Sequence, residues 1–161
     1  LWSFSSVLAR KITATSDEVD CAITSGSLIK LSLLEIVGLM DETFFIDYID
    51  FDFCLKLRSL GYKILFVKDA LLAHRLGENR TNKIGIRYTF HSPERVYFQT
   101  RNRLIVVRRY GLLFPSFAFM QMFLFALKFF KILVIEDQKI KRLKFYLSGF
   151  WRSFDKQYYS R

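Results

Sequence analysis

The densest set of chemistry-bearing side chains is Asp47, Asp50 and Asp52, set within an otherwise aromatic and aliphatic run. Three carboxylates among Phe, Tyr and Ile are costly to bury unless each has a partner or faces a cleft. At a cleft edge such a group can take a proton from an attacking hydroxyl or ligate a hard divalent cation. The same residues also fit the first turn of a helix, where the macrodipole favours carboxylates. His74 ends the strand-like run ALLAH just before a polar stretch. Its imidazole could be a metal ligand or a structural side chain. The chain has no CxxC, HExxH, P-loop or GxGxxG pattern, and Ser25-Gly26-Ser27 alone is too short for a phosphate loop. Cys21 and Cys54 lie in apolar contexts and read as core residues.

The elements that must carry these groups follow from periodicity. Residues 20–29 (DCAITSGSLI) read as a strand running into a loop. Leu31, Leu34 and Val37 recur at helical spacing before Gly38, a C-cap signal. Phe53, Leu57 and Leu60 define a second helix closed by Gly61, with Asp50 at or just before its start. Residues 63–68 and 70–74 read as short strands, and 77–85 as a polar loop. Ser92-Pro93-Glu94 signals a helix start, with Pro at the first helical position. That helix runs to Gly111 and mixes five Arg with apolar residues. Residues 112–127 carry no charge. As a helix they span about 24 Å, short of the ~30 Å hydrocarbon core, so an interfacial or re-entrant helix is expected rather than a full span. Residues 139–161 are basic, aromatic and amphipathic.

Composition narrows the class. The 161 residues are 52% hydrophobic and 17% aromatic, too apolar for a disordered basic tail. Two cysteines exclude a disulfide-dense scaffold. The net charge of +10 is unevenly placed: residues 1–82 hold 9 basic and 11 acidic side chains, residues 83–161 hold 16 and 4. The basic half is expected to meet something anionic. Its uncharged run favours a membrane surface over nucleic acid, because a groove binder gains nothing from it. The first residues lack signal-peptide order.

Five segments together resemble family 2 glycosyltransferases, bacterial rhamnosyltransferases most of all. They are SGSLI at 25–29, VGLMDE at 37–42, FIDYIDFDFCLK at 45–56, GYKI at 61–64 and ALLAH at 70–74, with SPERVYFQTRN at 92–102 matching a sixth. The resemblance implies an α/β fold: residues 1–91 as the C-terminal half of a GT-A-type nucleotide-diphosphosugar transferase domain. Residues 92–161 would follow as a basic, apolar helical, membrane-associating extension. It implies inverting transfer of a sugar, rhamnose from dTDP-rhamnose, to a lipid-linked glycan in cell-surface polysaccharide (O-antigen or capsule) synthesis. The place would be the cytoplasmic face of the bacterial inner membrane.

Carried over by position, Asp50 is the general base, flanked by Asp47 and Asp52, and His74 is a ligand of Mg2+ or Mn2+ on the donor diphosphate. Ser25 and Gly26 line the substrate loop, and Arg95, Arg101 and Asn102 match a segment expected to bind substrate. Two departures stand out. Lys56 replaces the usual Arg, which loses bidentate geometry. No Asp-x-Asp occurs in residues 1–46; the nucleotide-binding half is therefore expected to be absent and the fragment alone inactive. A non-catalytic membrane-associated remnant is the alternative, and a basic nucleic-acid-binding protein a more remote one.

Overall fold

The computed structural model describes residues 16–71, 79–81, 87–89 and 92–159. In chain order these form β1 (Ser16–Val19), α1 (Leu31–Val37), a 3-10 turn (Glu42–Phe44), α2 (Ile49–Ser59) and β2 (Ile64–Val67). Then come β3 (Asn79–Thr81), β4 (Arg87–Thr89), α3 (Pro93–Tyr110), α4 (Pro115–Val134), α5 (Lys139–Arg152) and a 3-10 turn at Lys156–Tyr158. Two antiparallel ladders are present among the described residues: β1 with β2, pairing Ser16 with Val67 through Val19 with Ile64, and β3 with β4.

The helix signals are realised closely. Gly38 closes α1 at φ 80°, and its N–H donates to Leu34 O. The Ser92 side chain accepts from Arg95 N, with Pro93 at the first helical position of α3. The strand expected over 20–29 is displaced. Only a bridge forms at Cys21, and the strand itself is the polar SDEV before it. Its partner supplies the reason: β2 is the apolar run ILFV, and tertiary pairing outweighs the weak intrinsic preference of SDEV. The polar stretch 77–85 contains β3. Residues 70 and 71 are not in a strand, and the rest of ALLAH lies outside the described residues. The mixed sheet of a GT-A-type domain is not present among the described residues.

Helix α3 is central, packing against α2, α4 and α5. One core cluster joins Cys21, Phe44, Cys54 and Leu55 to Ile105, Val106, Phe117 and Tyr158. This cluster crosses the expected boundary at 91/92, with the buried face of α3 set against α2. A second cluster, Val37, Phe53 and Leu57, seats α1 on α2. A third, Val96, Ile132 and Tyr146, locks α3, α4 and α5 together. At Gly149, α5 approaches α3 closely. A Cβ there would lie 2.6 Å from Tyr97 O and 3.1 Å from Thr100 Cβ, both on α3.

Replacing Gly149 with Ala should thus lower stability by about 1–3 kcal/mol as α5 is pushed off α3, despite the higher helix propensity of Ala. Urea unfolding with an unchanged midpoint would contradict that close approach.

Candidate functional site

The acidic motif begins in a tight turn. Phe45, Asp47 and Tyr48 have φ of 55°, 60° and 67°, a region that non-glycine residues occupy at a cost of order 1–3 kcal/mol each. The turn delivers Tyr48 as the N-cap of α2 and sets Asp50 and Asp52 in the first helical turn. Its backbone carbonyls point inward, and two neighbouring residues of α3 meet them. Asn102 Nδ2 donates to Phe44 O at 2.9 Å, Ile46 O at 2.8 Å and Asp47 O at 2.9 Å. Two amide hydrogens thus serve three carbonyls. Arg101 Nη2 donates to Thr43 O at 2.6 Å, and Arg101 Nε donates to Asn102 Oδ1 at 2.9 Å, which fixes the orientation of the amide.

The side chains of the motif are partnered unequally. Asp47 accepts from Arg95 Nε at 2.8 Å and Nη2 at 2.7 Å, a bidentate pair. That carboxylate holds the Arg95 guanidinium above its usual range, against the opposing effect of desolvation. Asp52 is buried and accepts from Arg109 Nη1 at 2.9 Å. Burial pushes the Asp52 carboxyl up, and Arg109 offsets this only in part. The other Arg109 nitrogen, Nη2, donates to Asp41 Oδ2 at 2.9 Å. Desolvation would raise Asp41 too, but hydrogen bonds from Thr43 and Arg109 outweigh it and hold Asp41 below the usual carboxylate value. Tyr48 donates its hydroxyl hydrogen to Gln121 Oε1 of α4 at 2.7 Å and accepts from Arg103 Nε.

Asp50 differs from its neighbours. Its Oδ1 accepts from Thr24 N at 2.9 Å. Among the described residues it has no cationic partner, and Oδ2 has no hydrogen bond. It is half-buried. Thr24 opens the turn that carries Ser25 and Gly26, closed by Ser27 N donating to Thr24 O at 3.0 Å. Gly26 sits at φ 78°, and both Ser25 and Gly26 are exposed. The structure thus brings the SGS loop and Asp50 together, though 26 residues separate Thr24 from Asp50. Cys21 and Cys54 lie beneath them, free and buried, as expected for core residues. Cys54 Sγ donates to Ala22 O at 3.5 Å, which ties the base of the loop to α2.

Some expected roles are corrected. Arg101 and Asn102 are 6% and 0% exposed, and their donors are engaged within the protein, Asn102 with the turn and Arg101 with Thr43 O, Asn102 Oδ1 and the Tyr158 hydroxyl. Arg95 is bound to Asp47, and Asp47 and Asp52 are both ion-paired. His74 lies outside the described residues. Among those described, no three His, Cys, Asp or Glu side chains group to hold a metal ion; a divalent cation would need ligands beyond them. Thr24, Arg103 and Arg109 were not singled out in the sequence. A signal for Arg109 exists: Arg95, Asn102 and Arg109 recur every seven residues, which places them on one face of α3.

The chain is similar to "dTDP-rhamnosyl transferase RfbF" of Shigella flexneri, 36% identical over 87 residues, which is 54% of this chain and 29% of the relative. Over that stretch the sequence resembles that of a rhamnosyl transferase. The chain spans less than a third of the length of this curated relative. No family model matches the chain, and no solved structure matches it.

Asn102→Ala should strip three inward-facing carbonyls of their donor and cost about 3 kcal/mol. Amide exchange should accelerate first at residues 44–48; uniform acceleration across α3 would contradict a local grip.

Proposed function

We propose that this sequence is the acceptor-side part of an inverting family 2 glycosyltransferase of GT-A type. In this reading it moves rhamnose from dTDP-rhamnose to a lipid-linked glycan at the cytoplasmic face of the bacterial inner membrane. The observation that carries the reading is the unequal partnering of the three aspartates. Asp47 and Asp52 are ion-paired with Arg95 and Arg109, while Asp50, beside the exposed Ser25-Gly26 loop, has no cationic partner and no hydrogen bond on Oδ2 among the described residues. A general base needs a lone pair within reach of the proton it removes.

The step assigned to Asp50 is as follows. Oδ2 accepts the proton of the acceptor hydroxyl as that oxygen attacks the anomeric carbon. The new C–O bond forms opposite the bond to the diphosphate, which breaks and leaves with the nucleoside diphosphate. The configuration inverts. The Thr24 N–H on Oδ1 holds the carboxylate in place, leaving Oδ2 to the substrate. A Mg2+ or Mn2+ ion on the donor belongs to the same reading, with His74 as its ligand from this chain; when bound it would neutralise the leaving diphosphate.

The helical half supports a membrane-surface setting. α4 is long and apolar enough to cross a membrane by length and composition. Phe119, Met122, Phe123, Leu127, Phe130 and Leu133 are exposed along it. On α5, exposed Ile140, Leu147 and Trp151 alternate with Lys139, Lys141, Lys144 and Arg152. An apolar stripe flanked by lysines suits the boundary of an anionic bilayer, where each cation contributes about 1 kcal/mol.

In the complete transferase, Asp50→Asn keeps the acceptor atom for Thr24 N and should leave thermal unfolding unchanged. Transfer should fall by about 100-fold or more; near-normal turnover would remove Asp50 as base. The chain itself should pellet with phosphatidylglycerol vesicles, and high salt should release it only in part, since the apolar contribution is unscreened. Phe123→Ser with Phe130→Ser should abolish the salt-resistant fraction. Full release of the unaltered chain by salt would leave electrostatics alone.

A further inference from the structure

The two thiols beneath the Ser25-Gly26 loop take no part in the chemistry described above, yet they are placed against each other. Cys21 forms the bridge just after β1, and Cys54 lies one helical turn beyond Asp50 on α2, on the same face. Both belong to one core cluster and both are free. Their sulfurs meet at one carbonyl: Cys54 Sγ is 3.5 Å and Cys21 Sγ 3.7 Å from Ala22 O. The thiols are also hydrogen-bonded to each other.

The pair is unequal. The hydrogen bond with Cys21 holds the Cys54 thiol below its ordinary value against the effect of burial, and Arg58 acts in the same direction. The hydrogen bond with Cys54, and then burial, push the Cys21 thiol up. A readily ionised thiol beside one that stays protonated suits an attacking and a resolving cysteine. On the loop side the cover is thin, since residues 23–28 are all exposed. Local opening there admits a water-sized oxidant without unfolding α3.

We propose that Cys21 and Cys54 form a reversible dithiol switch, closed by hydrogen peroxide, that acts on the hydrogen bond between Thr24 N and Asp50 Oδ1. The Cys54 thiolate attacks one peroxide oxygen. The O–O bond breaks, the other oxygen leaves as water with the proton that Cys54 gave up, and Cys54 becomes a sulfenic acid. The Cys21 sulfur then attacks the Cys54 sulfur. The S–S bond forms, the S–O bond breaks, and the hydroxide leaves as water with the Cys21 proton. The two thiols lose two electrons, and peroxide is reduced to two waters. A dithiol reductant reopens the bond by thiol–disulfide exchange.

The effect reaches Asp50 through the path of the chain. Residues 21–24 run against α2, with Ala22 O held by Cys54 and Thr24 N by Asp50. Closure removes the S–H donor from Ala22 O and draws the sulfurs to about 2.05 Å. The backbone leading to Thr24 shifts with them, and Thr24 N loosens from Asp50. Control of transfer rests on the reading of Asp50 as the base; the thiol chemistry does not.

The test treats the chain with an equimolar amount of hydrogen peroxide, then alkylates it with iodoacetamide in denaturant and weighs it intact. The chain has two cysteines, so the expected product lacks two hydrogens, carries no alkyl group and returns to the dithiol with dithiothreitol. Cys21→Ala should stop at a dimedone-reactive sulfenic acid on Cys54. Cys54→Ala should slow peroxide consumption by about ten-fold or more. Amide exchange at Thr24 should accelerate by about ten-fold in the oxidised chain. In the complete transferase, peroxide should lower transfer by about ten-fold or more, with recovery on reduction. Cys21→Ala with Cys54→Ala should keep its own rate through the same treatment.

Two alkylated thiols after peroxide, a sulfinic acid on Cys54 with Cys21 alkylated, or a disulfide between chains overturns the proposal. So does an internal disulfide that leaves exchange at Thr24 unchanged. A closed disulfide with faster exchange at Thr24 but undiminished transfer would count against Asp50 as base and leave the switch standing.

Discussion

The structure depends on one side-chain amide. The turn that starts α2 uses left-handed backbone at Phe45, Asp47 and Tyr48, and no glycine relieves it. Such a turn cannot satisfy its own inward carbonyls. The Asn102 amide does so, held in register by Arg101. Every other relation follows from that grip. It fixes α3 in rotation and height against the turn, so that Arg95 reaches Asp47 one heptad earlier and Arg109 reaches Asp52 one heptad later. The face of α3 that this leaves for Ile105 and Val106 is the one that closes the core over Leu55 and Phe44.

The charge asymmetry of the chain takes on a different meaning in this light. A near-neutral half joined to a strongly basic one suggests an external anion, and α4 and α5 keep that character. Yet α3, the first helix of the basic half, turns much of its charge inward. Arg95 pairs with Asp47 and Arg109 bridges Asp41 and Asp52, and Arg101 is buried among Tyr97, Phe98 and Tyr158 rings. Part of the apparent attraction for a partner is therefore the attraction of one half of the chain for the other.

Local signals made the helices legible. Gly38, Gly61 and the Ser92-Pro93 pair act through their immediate neighbours, and α1, α2 and α3 begin and end near them. β1 was not legible, because SDEV becomes a strand only by pairing with ILFV some 48 residues away. The site divides in the same way. That an acidic motif sits at a helix start could be read from spacing and resemblance. That Asp50, of the three, lacks a cationic partner among the described residues could not, since the difference is made by arginines 48 and 57 residues further along. Arg95, Arg101 and Asn102 were recognisable as a segment without an evident task; their task is to shape the turn.

The corner between α4 and α5 settles how α4 can sit. Buried Glu136 lies just past the end of α4. Its Oε1 accepts from Lys128 Nζ at 2.7 Å, Lys131 Nζ stands 3.8 Å from that oxygen, and Arg142 of α5 lies 3.2 Å from Oε2. Arg142 is itself buried and also donates to Asp137 O at 2.9 Å. Threading α4 through hydrocarbon would either carry three cations and one carboxylate into it or pull the helix away from α5 and strand the carboxylate. Both are expensive in a medium without water. The cluster works as a hinge pin: it keeps α4 folded back on α5 and leaves Phe119, Phe123 and Phe130 exposed along α4.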